Sequence, residues 1–152
     1  MKLVTVLFAV LLPFALMAQE DVIDWSADVS QLEDGSYAFE FTAEIEEGWY
    51  VYSQEEAEDG PIPTTISFEN ASLVNEDVLE SGEIEKEYLD DMFGVVIKKF
   101  GDEAKFTKIV TANKSSEIEG TLLFMACNDV RCLRPQRKSF VFNTKSETFS
   151  WL

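Results

Sequence analysis

The sequence predicts an all-β chain, an immunoglobulin-like antiparallel β-sandwich, and three observations predict it. Apolar and polar residues alternate with period two through most of the chain, as in strands with one buried face. Turn-forming residues separate the alternating runs at regular short intervals, as in a sandwich of seven or eight strands. No run of convincing length carries the period of an amphipathic helix, and Glu83 to Asp91 is the one place for a single helical turn.

Taken in order, the first element is a leader. Lys2 supplies a short positive region, Leu3 to Met17 is almost wholly apolar, and Ala18-Gln19 offers a small residue for cleavage, although Leu16 is larger than usual two positions earlier. The apolar run is shorter than the roughly 20 residues of a spanning helix, which favours a cleaved signal over 1–18 above a retained anchor. The remainder, 19–152, has the length of one domain with its own core. Ile23, Trp25, Ala27 and Val29 then share one strand face. Tyr37, Phe39, Phe41, Ala43 and Ile45 share another, opposite Glu40, Thr42, Glu44 and Glu46, with a turn at Glu33-Asp34-Gly35 between the two runs.

Trp49 to Tyr52 is apolar on both faces and reads as a central strand. Asp59-Gly60-Pro61-Ile62-Pro63 is a loop, because its prolines fix φ and remove ladder donors. Further strands are expected over Thr64–Glu69, Val95–Phe100, Lys105–Thr111, Glu117–Ala126 and Ser139–Asn143, with a weaker one over Leu73–Leu79.

Charge and composition narrow the function. With 12 basic and 29 acidic residues the net charge is −17, which argues against nucleic acid and anionic membranes as partners. The chain has no histidine, so histidine-based zinc and copper sites and histidine-dependent nucleophiles are excluded. Two cysteines alone do not make a structural zinc site, and no cofactor or metal is expected. Carboxylate-based hydrolysis keeps no positive motif, because no two acids are marked out by spacing.

The two cysteines of the chain, Cys127 and Cys132, are five positions apart. In an exported chain such a pair can close into a bridge. A loop this short contributes only about 2 kcal/mol on the chain-entropy argument, against roughly 4.7 kcal/mol for a 100-residue loop. As a staple it is poorly placed, and as a couple that opens and closes it is well placed. The strand ending at Ala126 delivers Cys127, Asn128-Asp129 begins a turn, Val130-Arg131-Cys132 returns and Pro135 ends the ladder. This hairpin setting excludes a thioredoxin fold, whose cysteines sit at a strand-to-helix junction. Arg131, Arg134, Arg137 and Lys138 cluster at the second cysteine; they either pair with the acidic surface or favour a nearby thiolate.

Several segments together resemble one family. Phe124-Met125-Ala126-Cys127 and Cys132-Leu133-Arg134-Pro135 are similar to the cysteine hairpin of the N-terminal periplasmic domain of the thiol:disulfide interchange protein DsbD. Gly48-Trp49-Tyr50-Val51-Tyr52-Ser53 resembles its aromatic strand, Pro63 to Phe68 resembles a following segment, and Asp90-Asp91-Met92-Phe93-Gly94 resembles its acidic-aromatic-glycine cap loop. The resemblance implies an immunoglobulin-like domain of the periplasm. It would take electrons from a membrane-embedded thiol reductase or thioredoxin-like donor and pass them to oxidised periplasmic proteins.

By position, the resemblance makes Cys127 and Cys132 the redox couple and Met92 and Phe93 the cap. Asp90 and Asp91 become the cap's acidic pair, and Tyr50 and Tyr52 the aromatics near the sulfurs. Arg131 and Arg134 flank Cys132 and would make it the more thiolate-like of the two, while Asp129, Asp90 and Asp91 would oppose them, so that which cysteine attacks stays open. Three departures stand out: a shorter loop between the cysteines, Met92 in place of an aromatic residue, and Arg134 in place of a proline. The chain ends at Leu152 with no membrane region or thioredoxin-like domain, which implies separate partners or a piece of a larger protein; a monomer is expected. The rival reading is an exported immunoglobulin-like binding or structural module with an inert bridge.

Overall fold

The computed structural model describes residues 21–74, 76–113 and 116–152; the leader expected over 1–18 lies outside the described residues. Eleven strands follow in order: β1 (Ile23–Gln31), β2 (Tyr37–Ile45), β3 (Tyr50–Tyr52), β4 (Thr65–Phe68), β5 (Ala71–Leu73), β6 (Leu79–Leu89), β7 (Val96–Ala112), β8 (Glu117–Phe124), β9 (Ala126–Cys127), β10 (Gln136–Asn143) and β11 (Thr148–Trp151). They form two sheets, both antiparallel. One runs β1-β2-β7-β3-β9 with β5 and β6 also on β7, and the other runs β11-β10-β8-β4. The architecture is the expected immunoglobulin-like β-sandwich, with no helix among the described residues.

The alternation of the first two runs has the anticipated result. β1 and β2 pair from Ile23 opposite Ile45 to Gln31 opposite Tyr37. Phe39, Phe41 and Ala43 of β2 are fully buried. They meet the facing sheet through aromatic contacts, with Phe41 and Phe140 centroids 5.1 Å apart and Trp25 and Phe124 centroids 5.2 Å apart. Offset and edge-on aromatic pairs of this kind add to the area they bury. Trp49–Tyr52 yields the central strand β3, between β7 and β9.

Several expectations are corrected. Glu83 to Asp91 holds no helical turn: it continues β6, pairing with β7 up to Leu89 opposite Val96. The glutamates at 83, 85 and 87 already alternate with other residues, and an available edge on β7 turns that weak period into a strand. The strands expected over Val95–Phe100 and Lys105–Thr111 are one 17-residue strand. It bends at a bulge where the register slips between Gly82/Glu83 and Asp102 adopts φ 60°. The run Glu117–Ala126 is not one strand either: β8 ends at Phe124 in one sheet, and β9 starts at Ala126 in the other. β11, too short to stand out in the sequence, pairs with β10 and brings Phe149 and Trp151 against the core.

Gly120 of β8 is a packing necessity. A Cβ there would collide with the Phe140 ring and the Ser67 carbonyl, both fixed by neighbouring strands. Gly120→Ala is therefore expected to lower stability by about 1–3 kcal/mol, read as a lower urea midpoint at unchanged slope.

Candidate functional site: the capped cysteine hairpin

The switch between sheets at Met125 aims the chain out of the main core. β9 adds to β3, with Tyr50 opposite Cys127 and Val51 opposite Ala126. The return is short. Asn128 N–H donates to the Arg131 carbonyl at 2.9 Å and Leu133 N–H to the Ala126 carbonyl at 2.8 Å. Asn128 Oδ1 accepts from the N–H groups of Val130 (3.0 Å) and Arg131 (2.9 Å), the side-chain turn its residue type favours. These bonds flank Cys127 and Cys132, so the cysteines face each other as a non-hydrogen-bonded pair. Such pairs bring Cα atoms to about 4.5 Å; here the separation is 4.0 Å, and the sulfurs are joined as a disulfide.

The two sulfurs are not equivalent. Cys127 is 2% exposed and belongs to a small satellite core with Tyr52, Ile97 and Met125. Cys132 is half-buried and packs on that cluster from outside, together with Ala57, Phe93 and Val95.

Over this cluster lies the loop joining β6 and β7. Asp90 is its organiser. Its Oδ1 accepts from the N–H groups of Met92 (2.9 Å) and Phe93 (3.2 Å), its own N–H donates to the Val95 carbonyl (2.9 Å), and its carbonyl accepts from Gly94 N–H (2.7 Å). Gly94 closes the turn at φ 70°, a conformation glycine adopts without steric cost. The turn sets Phe93 edge-on to Tyr52, with centroids 6.2 Å apart. It also lays Met92 Sδ 3.5 Å from Cys132 Sγ, a sulfur–sulfur packing contact, because a disulfide sulfur carries no proton to donate.

Asp90 is buried, and so is Lys99, the two charges standing 3.9 Å apart. Lys99 Nζ also lies 3.8 Å from the Tyr50 ring centroid, a cation–π distance. A buried lysine thus ties the turn of the cap to the strand that backs Cys127. Sequence reasoning missed it. Nothing in the two adjacent lysines Lys98 and Lys99 marks either one for burial, and only the partners of β7 show that the second points inward.

All the expected site residues except Arg131 converge on this spot. Tyr50, Asp91, Met92, Lys99 and Asp129 line a small pocket between cap and hairpin. The Arg131 guanidinium instead sits 5.6 Å from the Trp49 ring centroid, and Lys138 of β10 lies over Trp151 of β11.

A second buried carboxylate fixes the exit of β3. The Glu80 side chain is 2% exposed and 2.8 Å from Lys98 Nζ. It accepts from Ser53 Oγ at 2.6 Å and Gln54 N–H at 3.0 Å. Burial pushes its carboxyl up, but the Gln54 N–H, Lys98 and Ser53 together outweigh burial and hold it below the ordinary glutamate range.

The family model of the thiol:disulfide interchange protein DsbD, N-terminal, matches residues 15–144. No curated protein sequence matches significantly. Among solved structures, the N-terminal periplasmic domain of ScsB from Proteus mirabilis is 17% identical with a TM-score of 0.63, covering 85% of this chain and 49% of that one. This chain therefore spans about half of that ScsB chain. The Neisseria meningitidis DsbD N-terminal domain in the reduced form is 15% identical with a TM-score of 0.58, covering 90% of this chain and 94% of that one. These two likenesses bear on the fold.

Two outcomes are expected. Lys99→Met leaves the Asp90 charge buried without its cation and is expected to cost about 3 kcal/mol. Adding Asp90→Asn, which keeps the acceptor and removes the charge, should recover much of that loss in a double-mutant cycle by urea denaturation. For Glu80, a carboxyl depressed in the folded state stabilises fully above the ordinary glutamate range and loses that contribution as pH falls through its lowered value. Glu80→Gln should thus cost about 1–3 kcal/mol near neutrality, with the difference from the parent shrinking in acid.

Proposed function

The chain belongs to the DsbD N-terminal domain family, and from that premise we propose that it is a periplasmic thiol–disulfide exchange domain working through Cys127 and Cys132. Family and disulfide together are those of thiol–disulfide interchange in general. In the finer reading the domain receives electrons from a membrane-embedded thiol reductase or thioredoxin-like donor and hands them to oxidised periplasmic proteins. The leader over 1–18 would be removed on export, leaving 19–152 as the working domain.

The observation that carries this reading is the asymmetry of the sulfurs: Cys127 is sealed in the satellite core and Cys132 is half-open beneath a movable side chain. In the reduced domain the Cys132 thiolate attacks one sulfur of a substrate disulfide, releasing the other as thiolate and forming a mixed disulfide. Cys127, as thiolate, then attacks Cys132 Sγ and displaces the substrate's second sulfur. Two electrons pass to the substrate, and the domain is left with its Cys127–Cys132 bond. Reloading runs the same steps in reverse, with a donor thiolate attacking Cys132.

Asp90, Asp91, Met92 and Phe93 serve as the cap, and Tyr50 and Tyr52 as the wall behind the sulfurs. Arg131, held over Trp49 at the hairpin, adds positive charge to the approach. Leu89 and Val96 are cross-strand neighbours beside the cap and Val130 tips the hairpin; all three are well exposed. This apolar rim suits a protein partner better than a small charged substrate.

Trapping tests the assignment. Cys127→Ser should accumulate a mixed disulfide through Cys132 when mixed with an oxidised protein substrate, whereas Cys132→Ser should accumulate far less. Equal trapping by both variants would remove the assigned polarity. No trapping by either, with a potential below about −300 mV for the parent, would mark an inert bridge.

A further inference from the structure

We infer that Met92 is an oxidation site: a peroxide-class oxidant converts its thioether to the sulfoxide, and this uncovers Cys132. The inference goes beyond exchange with protein partners, because it concerns access to one sulfur by any thiol.

Selectivity comes first. The described residues contain two methionines, Met92 at 46% exposure and Met125 at 8%. Thioether oxidation follows exposure, so an oxidant in solution meets Met92 well before Met125. The reaction is self-contained. The peroxide O–O bond breaks, one oxygen bonds to Sδ and the other leaves as water, and the sulfur gives up two electrons. The Cys127–Cys132 bond is untouched.

The consequence follows from what Met92 touches. As a thioether its sulfur packs 3.5 Å from Cys132 Sγ, beside a pocket that Met92 lines together with Tyr50, Tyr52, Lys99 and Asn128. The polar groups of that pocket and the solvent lie away from the cystine sulfur, which offers a sulfoxide oxygen no donor. A strongly polar acceptor held there without a hydrogen bond is penalised, and solvent is within reach of a side chain already almost half exposed. The main chain does not have to move. Met92 N–H remains fixed on Asp90 Oδ1, so the response is a rotation of one long, flexible side chain away from the sulfur. Cys132 then loses its cover, and an incoming thiol reaches it more easily. The chemistry is reversible by methionine sulfoxide reduction, so the modification can act as a setting of the cap.

The test uses the disulfide-bonded protein and hydrogen peroxide, with peptide mass analysis to locate oxygen and dithiothreitol to time opening of the disulfide. Oxygen is expected on the Met92 peptide ahead of the Met125 peptide, with reduction by dithiothreitol several-fold faster after treatment. Met92→Leu should show no peroxide-induced rise. Met92→Gln, which places a polar group at the same reach, should open fast without any oxidant. Oxidation of Met125 at the same pace, an unchanged rate after Met92 is fully oxidised, or the same rise in Met92→Leu would each overturn the inference. Because the readout is a small thiol, failure of protein exchange would leave these outcomes intact.

Discussion

The hydrogen-bond ladder of β7 is the constraint on which the rest of the molecule depends. Four strands, β2, β3, β5 and β6, pair directly with its 17 residues. Its bulge near Asp102 divides it between two tasks. Phe100 at the bulge and Ala104, Phe106 and Val110 beyond it are sealed in the main aromatic core. Before it, Ile97 and Lys99 belong to the cysteine site, under the loop that the β6–β7 hairpin itself provides. Cap and floor are therefore parts of one ladder, and the register Leu89 opposite Val96 fixes where the cap lies over β3 and β9. A slip of one residue would exchange every inward side chain for an outward one, moving Lys99 out from under Asp90.

Much of this fold was legible in the sequence, and the parts that were not share a cause. β1, β2 and the cysteine hairpin are local. Their apolar period, the turn at Glu33-Asp34-Gly35 and the turn at Asn128 are written in neighbouring residues. What escaped was decided by partners distant in sequence. β6 is a strand because β7 offers it an edge, and local propensity over Glu83–Leu89 is too even to say so. The break at Met125 arises because one chain segment serves two sheets, which no alternation reveals. Lys99 is buried because Tyr50 and Asp90, far apart in the chain, close over it. The loop from Asp90 to Gly94 was singled out through resemblance rather than period, and its internal bonding, an aspartate collecting the N–H groups of Met92 and Phe93, could be read only once the loop had a shape.

The charges rearrange the sequence-based picture of the site. Arginines crowd the second cysteine in the chain, yet Arg131 stacks on Trp49 at the periphery. The cation enclosed with the site is a lysine from β7. Enclosure matters more than proximity in sequence, because a charge screened by water acts weakly beyond about 8–10 Å while one in a packed interior is felt more strongly. Lys99 is first of all the cation buried beside Asp90 beneath the cap. Asp90 in turn holds the turn that seats Met92 on the sulfur, so electrostatics reach the disulfide through geometry.

A domain that cycles between dithiol and disulfide has to keep one fold in both states, and the hairpin meets that requirement in a simple way. The approach of Cys127 and Cys132 is set by backbone bonds on either side of the pair and by the Asn128 side chain. None of these bonds needs the sulfurs to be joined. The loop that the disulfide closes is so short that it removes little freedom from the unfolded chain, about 2 kcal/mol. β9, meanwhile, is tied to β3 by main-chain pairing that does not involve the sulfurs. Opening the bond therefore releases two thiols held in register, one sealed and one under a flexible cover. The main aromatic core, a separate cluster from the one that holds Cys127, bears the stability of the domain. That separation of duties is what allows the proposed redox centre to be labile without the fold being so.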